Sequence, residues 1–257
     1  MTPRPHPPQR HLALLLLILA LPFSASALEG PFPRPAQPEL DNVITQLPDI
    51  PLVIDADLVV RNRSGRTERS YQVEMELDWW APVPTANYTL RDRFGETLAH
   101  LAVSWPQDRQ PHYRFFTGNP LVAAPVPPLN SPVFDTDLSW IDLSLSFLWW
   151  RGGEVVGTES VRSRRCLIID LPAPADDRIQ LSGARLWIDP RIGMLLRADG
   201  FDEKNERIRR MEVQSFRKIG DRWVIKDIEF RRYPARGTTL LRVRDVTERQ
   251  RFELPPR

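Results

Sequence analysis

Histidines, cysteines and clustered carboxylates do most enzyme chemistry, and this 257-residue chain brings few of them together. Of its four histidines, only His100 and His112 lie beyond residue 27. Neither stands in the H-x-x-E or H-E-x-x-H spacing that sets zinc ligands on one helix face. Cys166 is the single cysteine, so no intramolecular disulfide can form. It sits in the apolar run S-R-R-C-L-I-I-D, where a thiol serves as a small buried hydrophobe. The chain has no G-x-S-x-G elbow, no G-x-x-x-x-G-K-[ST] loop and no G-x-G-x-x-G after a strand. The acidic run Asp199 to Glu206 lacks the oxygen-ligand register of a calcium loop and reads as a hairpin turn. Catalysis, a metal site and a cofactor are therefore not expected.

What remains is aromatic and apolar. The eight tryptophans are Trp79, Trp80, Trp105, Trp140, Trp149, Trp150, Trp187 and Trp223, and three of them fall in D-T-D-L-S-W-I-D-L-S-L-S-F-L-W-W, residues Asp135 to Trp150. Leu138, Ile141, Leu145 and Leu148 recur at i, i+3, i+7 and i+10, which predicts one face of a helix. Asp135, Thr136 and Asp137 are its N-cap candidates, and Gly152-Gly153 its stop. The opposite face is apolar as well, so the helix must be covered. Trp79, Leu138, Trp140, Ile141, Leu145, Phe147, Leu148 and Trp149 are the candidate ligand-contacting residues, set between this helix and a sheet.

The rest of the chain is patterned as strands. In Tyr71–Trp80, Val73, Met75, Leu77 and Trp79 alternate with Gln72, Glu74, Glu76 and Asp78, the two-residue period of a half-buried antiparallel strand. Similar segments run over Leu52–Val60, Asn87–Phe94, Leu98–Trp105 and His112–Phe116. Beyond the helix come Val155–Val161, Cys166–Leu171, Ala184–Asp189, Met194–Phe201, Ile208–Ile219, Trp223–Tyr233 and Thr238–Val246. Turns are expected at Asp189-Pro190-Arg191, Glu203-Lys204-Asn205, Gly220-Asp221 and Arg236-Gly237. The expected fold class is mainly β with an inserted helix: a curved antiparallel sheet, a half-open β-barrel, covered by one dominant apolar helix.

The N-terminus carries an export signature. Arg4 and Arg10 precede the apolar run Leu12–Phe23, and Ala25-Ser26-Ala27 is a small-x-small cleavage site. Residues 1–27 read as a signal peptide, and no later stretch has the roughly 20 apolar residues of a membrane helix. Removing two arginines and no acid brings the 35 basic residues to 33, level with the 33 acidic ones. A neutral exported chain argues against nucleic acid as partner. The frequent late arginines, among them Arg207, Arg209, Arg210, Arg217, Arg231 and Arg242, read as a sheet face whose stems cover apolar surface. Residues 28–48 are expected to be a proline-rich tether, extended through Pro38, with a short helix over Glu39–Leu47. Residues 49–257 are expected to form a single β domain.

A family pattern emerges from these pieces. The run D-L-S-W-x-D-L (Asp137 to Leu143) is followed by the strand A-R-L-W-I-D (Ala184 to Asp189) and an acidic turn at Asp202. A strand holding Val213, G-x-x-W-V at Gly220 to Val224 and T-x-L-x-V at Thr239 to Val243 complete it. Together with the leader, this resembles the LolA-like outer-membrane lipoprotein-sorting proteins over roughly residues 50 to 246. The resemblance implies a half-open barrel whose concave face shelters acyl chains without catalysis. It further implies a periplasmic carrier acting in outer-membrane biogenesis, with an acylated lipoprotein or lipid as cargo and an inner-membrane export permease as donor. The alternative is a non-catalytic envelope module that docks a partner protein through the same apolar face.

Overall fold

A computed structural model of the chain describes residues 31–106, 110–219, 222–234 and 237–249. The predicted leader 1–27, the turn at Gly220-Asp221, the side chain of Trp223 and residue Arg236 lie outside the described residues. Period-two patterning dominates what is described. In β4 (Thr85–Arg91), for example, Ala86, Tyr88 and Leu90 are buried while the residues between them are not. In chain order the other strands are β1 (Arg34–Pro35), β2 (Leu52–Asn62), β3 (Thr67–Asp78), β5 (Thr97–Ser104), β6 (His112–Thr117) and β7 (Val122–Ala124). They continue as β8 (Glu154–Val161), β9 (Arg164–Pro172), β10 (Gly183–Asp189), β11 (Met194–Phe201), β12 (Arg207–Ile219), β13 (Arg222–Arg232) and β14 (Gly237–Glu248).

All fourteen form one antiparallel sheet, in the order β1-β8-β9-β10-β11-β12-β13-β14-β2-β3-β4-β5-β6-β7. Two meanders, β2 to β7 and β8 to β14, thus meet where β14 pairs with β2 in a register running from Gly237↔Asn62 to Glu248↔Leu52. The sheet does not close: β1 and β7 are its two edges. Register irregularities at Trp187/Ile188, around Ser215 and at Val243/Asp245 bend the strands and curl the sheet around its inner face. Outside, a small cluster of Val161, Cys166, Trp187 and Leu196 lies under arginine. The Arg197 guanidinium sits 5.1 Å over the Trp187 ring, and Arg197, Arg210 and Arg242 pair with Glu212, Asp199 and Asp227.

The cover on the inner face differs from the expected dominant helix. Its longest helix among the described residues is α1, Gln37–Thr45, which buries Leu40 and Val43. The extended tether expected through Pro38 is corrected: β1 pairs with β8, and Pro38 lies in the first turn of α1, where a missing N–H costs nothing. The stretch 135–150 is not one helix. It holds only α2, Trp140–Leu143, then Leu145 at φ 49°, then a 3-10 turn at Ser146–Trp149.

Serine explains much of the break. Ser139, not the Asp135–Asp137 group, caps α2: its side chain accepts from the Asp142 backbone while Asp142 accepts from the Ser139 backbone, a capping box. Thr136 is already committed to the Val133 carbonyl, and the Asp137 carboxylate accepts from the Thr239 hydroxyl. At the other end the Ser144 hydroxyl donates to the Trp140 carbonyl at 2.8 Å and meets Ser146 Oγ at 2.5 Å. Such local hydroxyl bonds compete with the helical ladder.

The β14–β2 seam is tight at its start. A Cβ at Gly237 would come within 2.0 Å of the Arg61 carbonyl oxygen, whereas one at Gly157 would meet nothing within 4 Å. Gly237→Ala is expected to lower stability by about 1–3 kcal/mol in urea denaturation, with Gly157→Ala within about 0.5 kcal/mol of the parent.

Candidate functional site

The middle strands present their inward residues across a concavity that the thin cover does not fill. The result is a cavity of about 310 Å³. Its sheet wall includes Met75, Leu77, Met211, Val213, Ile228 and Val243, and its cover wall Val43 from α1 and Leu47 just beyond that helix, with Leu143, Leu145 and Leu148. Nearly all of this lining is apolar. The Tyr88 phenol also faces it, with burial pushing its pKa well above the usual phenol value.

Asp142 is the charged exception. Its carboxylate is about 4% exposed and is held by Ser139 and by the equally buried Arg209 guanidinium. Arg209 reaches it across Gly200, where a Cβ would stand 2.3 Å from Nε, so only glycine leaves the space. Nη1 also donates to Ser139 Oγ at 2.9 Å. Nε and Nη2 of Arg209 have no hydrogen-bond partner among the described residues. Arg232, opposite Arg209 in the β12–β13 register, donates to the Asn130 carbonyl, and burial lowers its pKa. This charge group pins the cover to the sheet at one end of the cavity.

Of the eight candidate contact residues, Trp79, Leu145 and Leu148 line the cavity. Leu138, Trp140, Ile141 and Phe147 are buried in the solid core, Trp140 edge-on to Phe115 with ring centroids 5.2 Å apart. Trp149 faces a second, open cleft. The broken helix causes this division, because Leu145 in the left-handed region turns the chain between α2 and the 3-10 residues. The cavity residues on β2, β12, β13 and β14 were not singled out from sequence. Their signal was the inward half of each alternating strand, with Met75 and Met211 among the gap-filling side chains.

The second cleft, about 960 Å³, is lined by Trp79, Trp80, Trp105, Tyr113, Trp149 and Trp150 among others. Trp105 and Trp149 stack at 4.4 Å, and Trp79 lies 5.3 and 5.4 Å from the two. The Tyr113 hydroxyl meets Ser146 Oγ at 2.9 Å, and burial pushes its pKa up to about 12.

The histidines and the cysteine are dispersed. His100 pairs with Thr89 Oγ1, and burial lowers its pKa. Burial pushes the Cys166 thiol up to about 11, so it is not a thiolate at neutral pH. Among the described residues, no group of three or more His, Cys, Asp or Glu could hold a metal ion, and no helix is long and apolar enough to cross a membrane.

Known structures share this architecture. A DUF1329 family protein from Desulfovibrio piger superposes with a TM-score of 0.69 at 13% identity, over 85% of this chain and 95% of that one. An outer membrane lipoprotein-sorting protein domain, so described, from Vibrio parahaemolyticus gives 0.69 at 9% identity, over 84% and 93%. A LolA superfamily protein from Nitrosomonas europaea gives 0.64 at 10% identity, over 86% and 96%. The chain therefore has the LolA-like fold, one open antiparallel sheet wrapped around a cover. Residues 127–253, the cover segment and β8 to β14, match a protein-family model described as "Uncharacterized protein". No curated protein matches the chain.

Two outcomes follow from the buried charges. Arg209→Met leaves Asp142 uncompensated and is expected to cost about 3–5 kcal/mol, much of it recovered when Asp142→Leu is added. Urea denaturation of the single and double variants measures this. Burial, only partly offset by the Thr239 hydroxyl and Arg232, holds the Asp137 carboxyl above its ordinary 3.8. The folded state keeps that proton more tightly than the unfolded chain, so the group detracts from stability as pH rises from 3.8 through the raised folded value. Asp137→Asn is expected to be more stable than the parent at neutral pH and to lose that advantage below pH 3.8, as read by denaturation midpoints at the two pH values.

Proposed function

We propose that the protein is an exported carrier that shelters an acyl chain in the apolar cavity between cover and sheet. The observation that carries this reading is a 310 Å³ space walled almost wholly by aliphatic, methionine and aromatic side chains. At about 30 Å³ for a water-sized volume, it takes on the order of ten methylenes. Each buried methylene contributes about 0.8 kcal/mol, so a filled cavity offsets the cost of leaving a membrane when a donor assists. The N-terminal export signature and the fold shared with lipoprotein-sorting proteins support a periplasmic setting and an acylated lipoprotein or lipid as cargo. In this reading an inner-membrane export permease hands the cargo over and the outer membrane receives it. The protein itself performs no covalent step.

Organic extraction of the purified mature protein followed by mass spectrometry is expected to release an acylated molecule, and a fluorescent fatty-acyl probe is expected to bind. Ile228→Trp fills the cavity from the sheet side and should weaken the probe by about tenfold or more while circular dichroism stays unchanged. Lipid-free protein that also ignores the probe would rule the carrier out.

A further inference from the structure

The wall between the apolar cavity and the tryptophan cleft is one residue thick. In α1, Val43 faces the cavity and Ile44 the cleft; in the 3-10 turn, Leu148 faces the cavity and Trp149 the cleft. Trp79 lines both spaces. A molecule that passes the Trp79 edge of this wall would have its chain in one space and its polar end in the other.

The cleft has its own chemical character. Its charged side chains are internally paired: Asp41 lies 3.6 Å from the Arg151 guanidinium, and Asp176 receives two bonds from the Arg178 side chain at 2.8 and 2.6 Å. Among the described residues, the charges that line it are thus each set against an opposite partner rather than left to meet a phosphate or carboxylate. What it offers is flat indole and neutral hydrogen-bonding groups. Trp80 is 48% exposed, yet its ring is fixed because its N–H donates to the Leu47 carbonyl at 3.1 Å. The Trp105 indole N–H, buried in the wall, has no partner among the described residues. The Tyr113 and Ser146 hydroxyls can each donate and accept.

We propose that this cleft is a head-group subsite for an uncharged sugar or polyol carried by the acylated ligand. A sugar ring has apolar C–H faces that lie against indole, whose π face is electron-rich, and a rim of hydroxyls that suits neutral donors and acceptors. The preorganised Trp80 ring supplies the platform, and the Tyr113 hydroxyl supplies a neutral donor and acceptor. This subsite rests on the acyl-carrier reading of the adjoining cavity.

The test is titration of the mature protein with decyl glucoside, decanoate and decyl phosphate, each below its critical micelle concentration, followed by calorimetry. Decyl glucoside is expected to bind about tenfold more tightly than the other two. Trp80→Ala, which lies outside the apolar cavity, should erase that preference and leave decanoate affinity unchanged. Equal affinities, a preference for decyl phosphate, or an equal loss for all three ligands in Trp80→Ala would overturn the head-group subsite and leave the carrier standing. Failure of all three to bind would overturn both.

Discussion

The β14–β2 pairing is the contact on which everything else depends. It joins strands nearly two hundred positions apart, with Leu241 opposite Leu58 and Val243 opposite Ala56 across the seam. Without it the two meanders would be separate sheets with four open edges, and neither would be wide enough to curve around a cover. With it, one sheet of fourteen strands turns its inner residues toward a common axis. So distant a pairing must be reached against the entropy of closing a very long loop, and it rewards the chain only after both partners exist.

A sheet that wide cannot fill its own concavity, and the cover compensates only in part. α1, α2 and the 3-10 turn contribute short apolar pieces rather than one long helix, so the space beneath them stays open. The buried Arg209–Asp142 pair holds the middle piece in place. Hydrophobic replacements of such pairs are often as stable, which makes the pair a device for placing the cover rather than a source of net stability. Gly200 belongs to the same device, since any side chain there would displace the guanidinium.

Much of the sheet was legible because strand alternation is a local property. The alternation of Val73, Met75 and Leu77 on β3 and of Ala86, Tyr88 and Leu90 on β4 needs no knowledge of remote residues. The likeness to lipoprotein-sorting proteins was also legible, through the cover motif and the late strands. The helix over 135–150 was misread because its leucine spacing is helical while its serines and Asp137 have better partners elsewhere. Thr239, more than a hundred residues away, takes Asp137, and Arg209 takes Asp142. Pro38 was likewise read as a barrier, although in a first turn it is none.

By itself, the sequence determined the antiparallel strands and the apolar character of the stretch between β7 and β8. Each of these follows from residue type and short-range period. Only the tertiary structure decided that this stretch is a broken plug, that Trp79, Leu145 and Leu148 face one space while Trp149 faces another, and that a cavity remains between them. Those outcomes depend on which side chains from opposite ends of the chain compete for the same backbone group or the same volume, and that competition exists only once the sheet has curled.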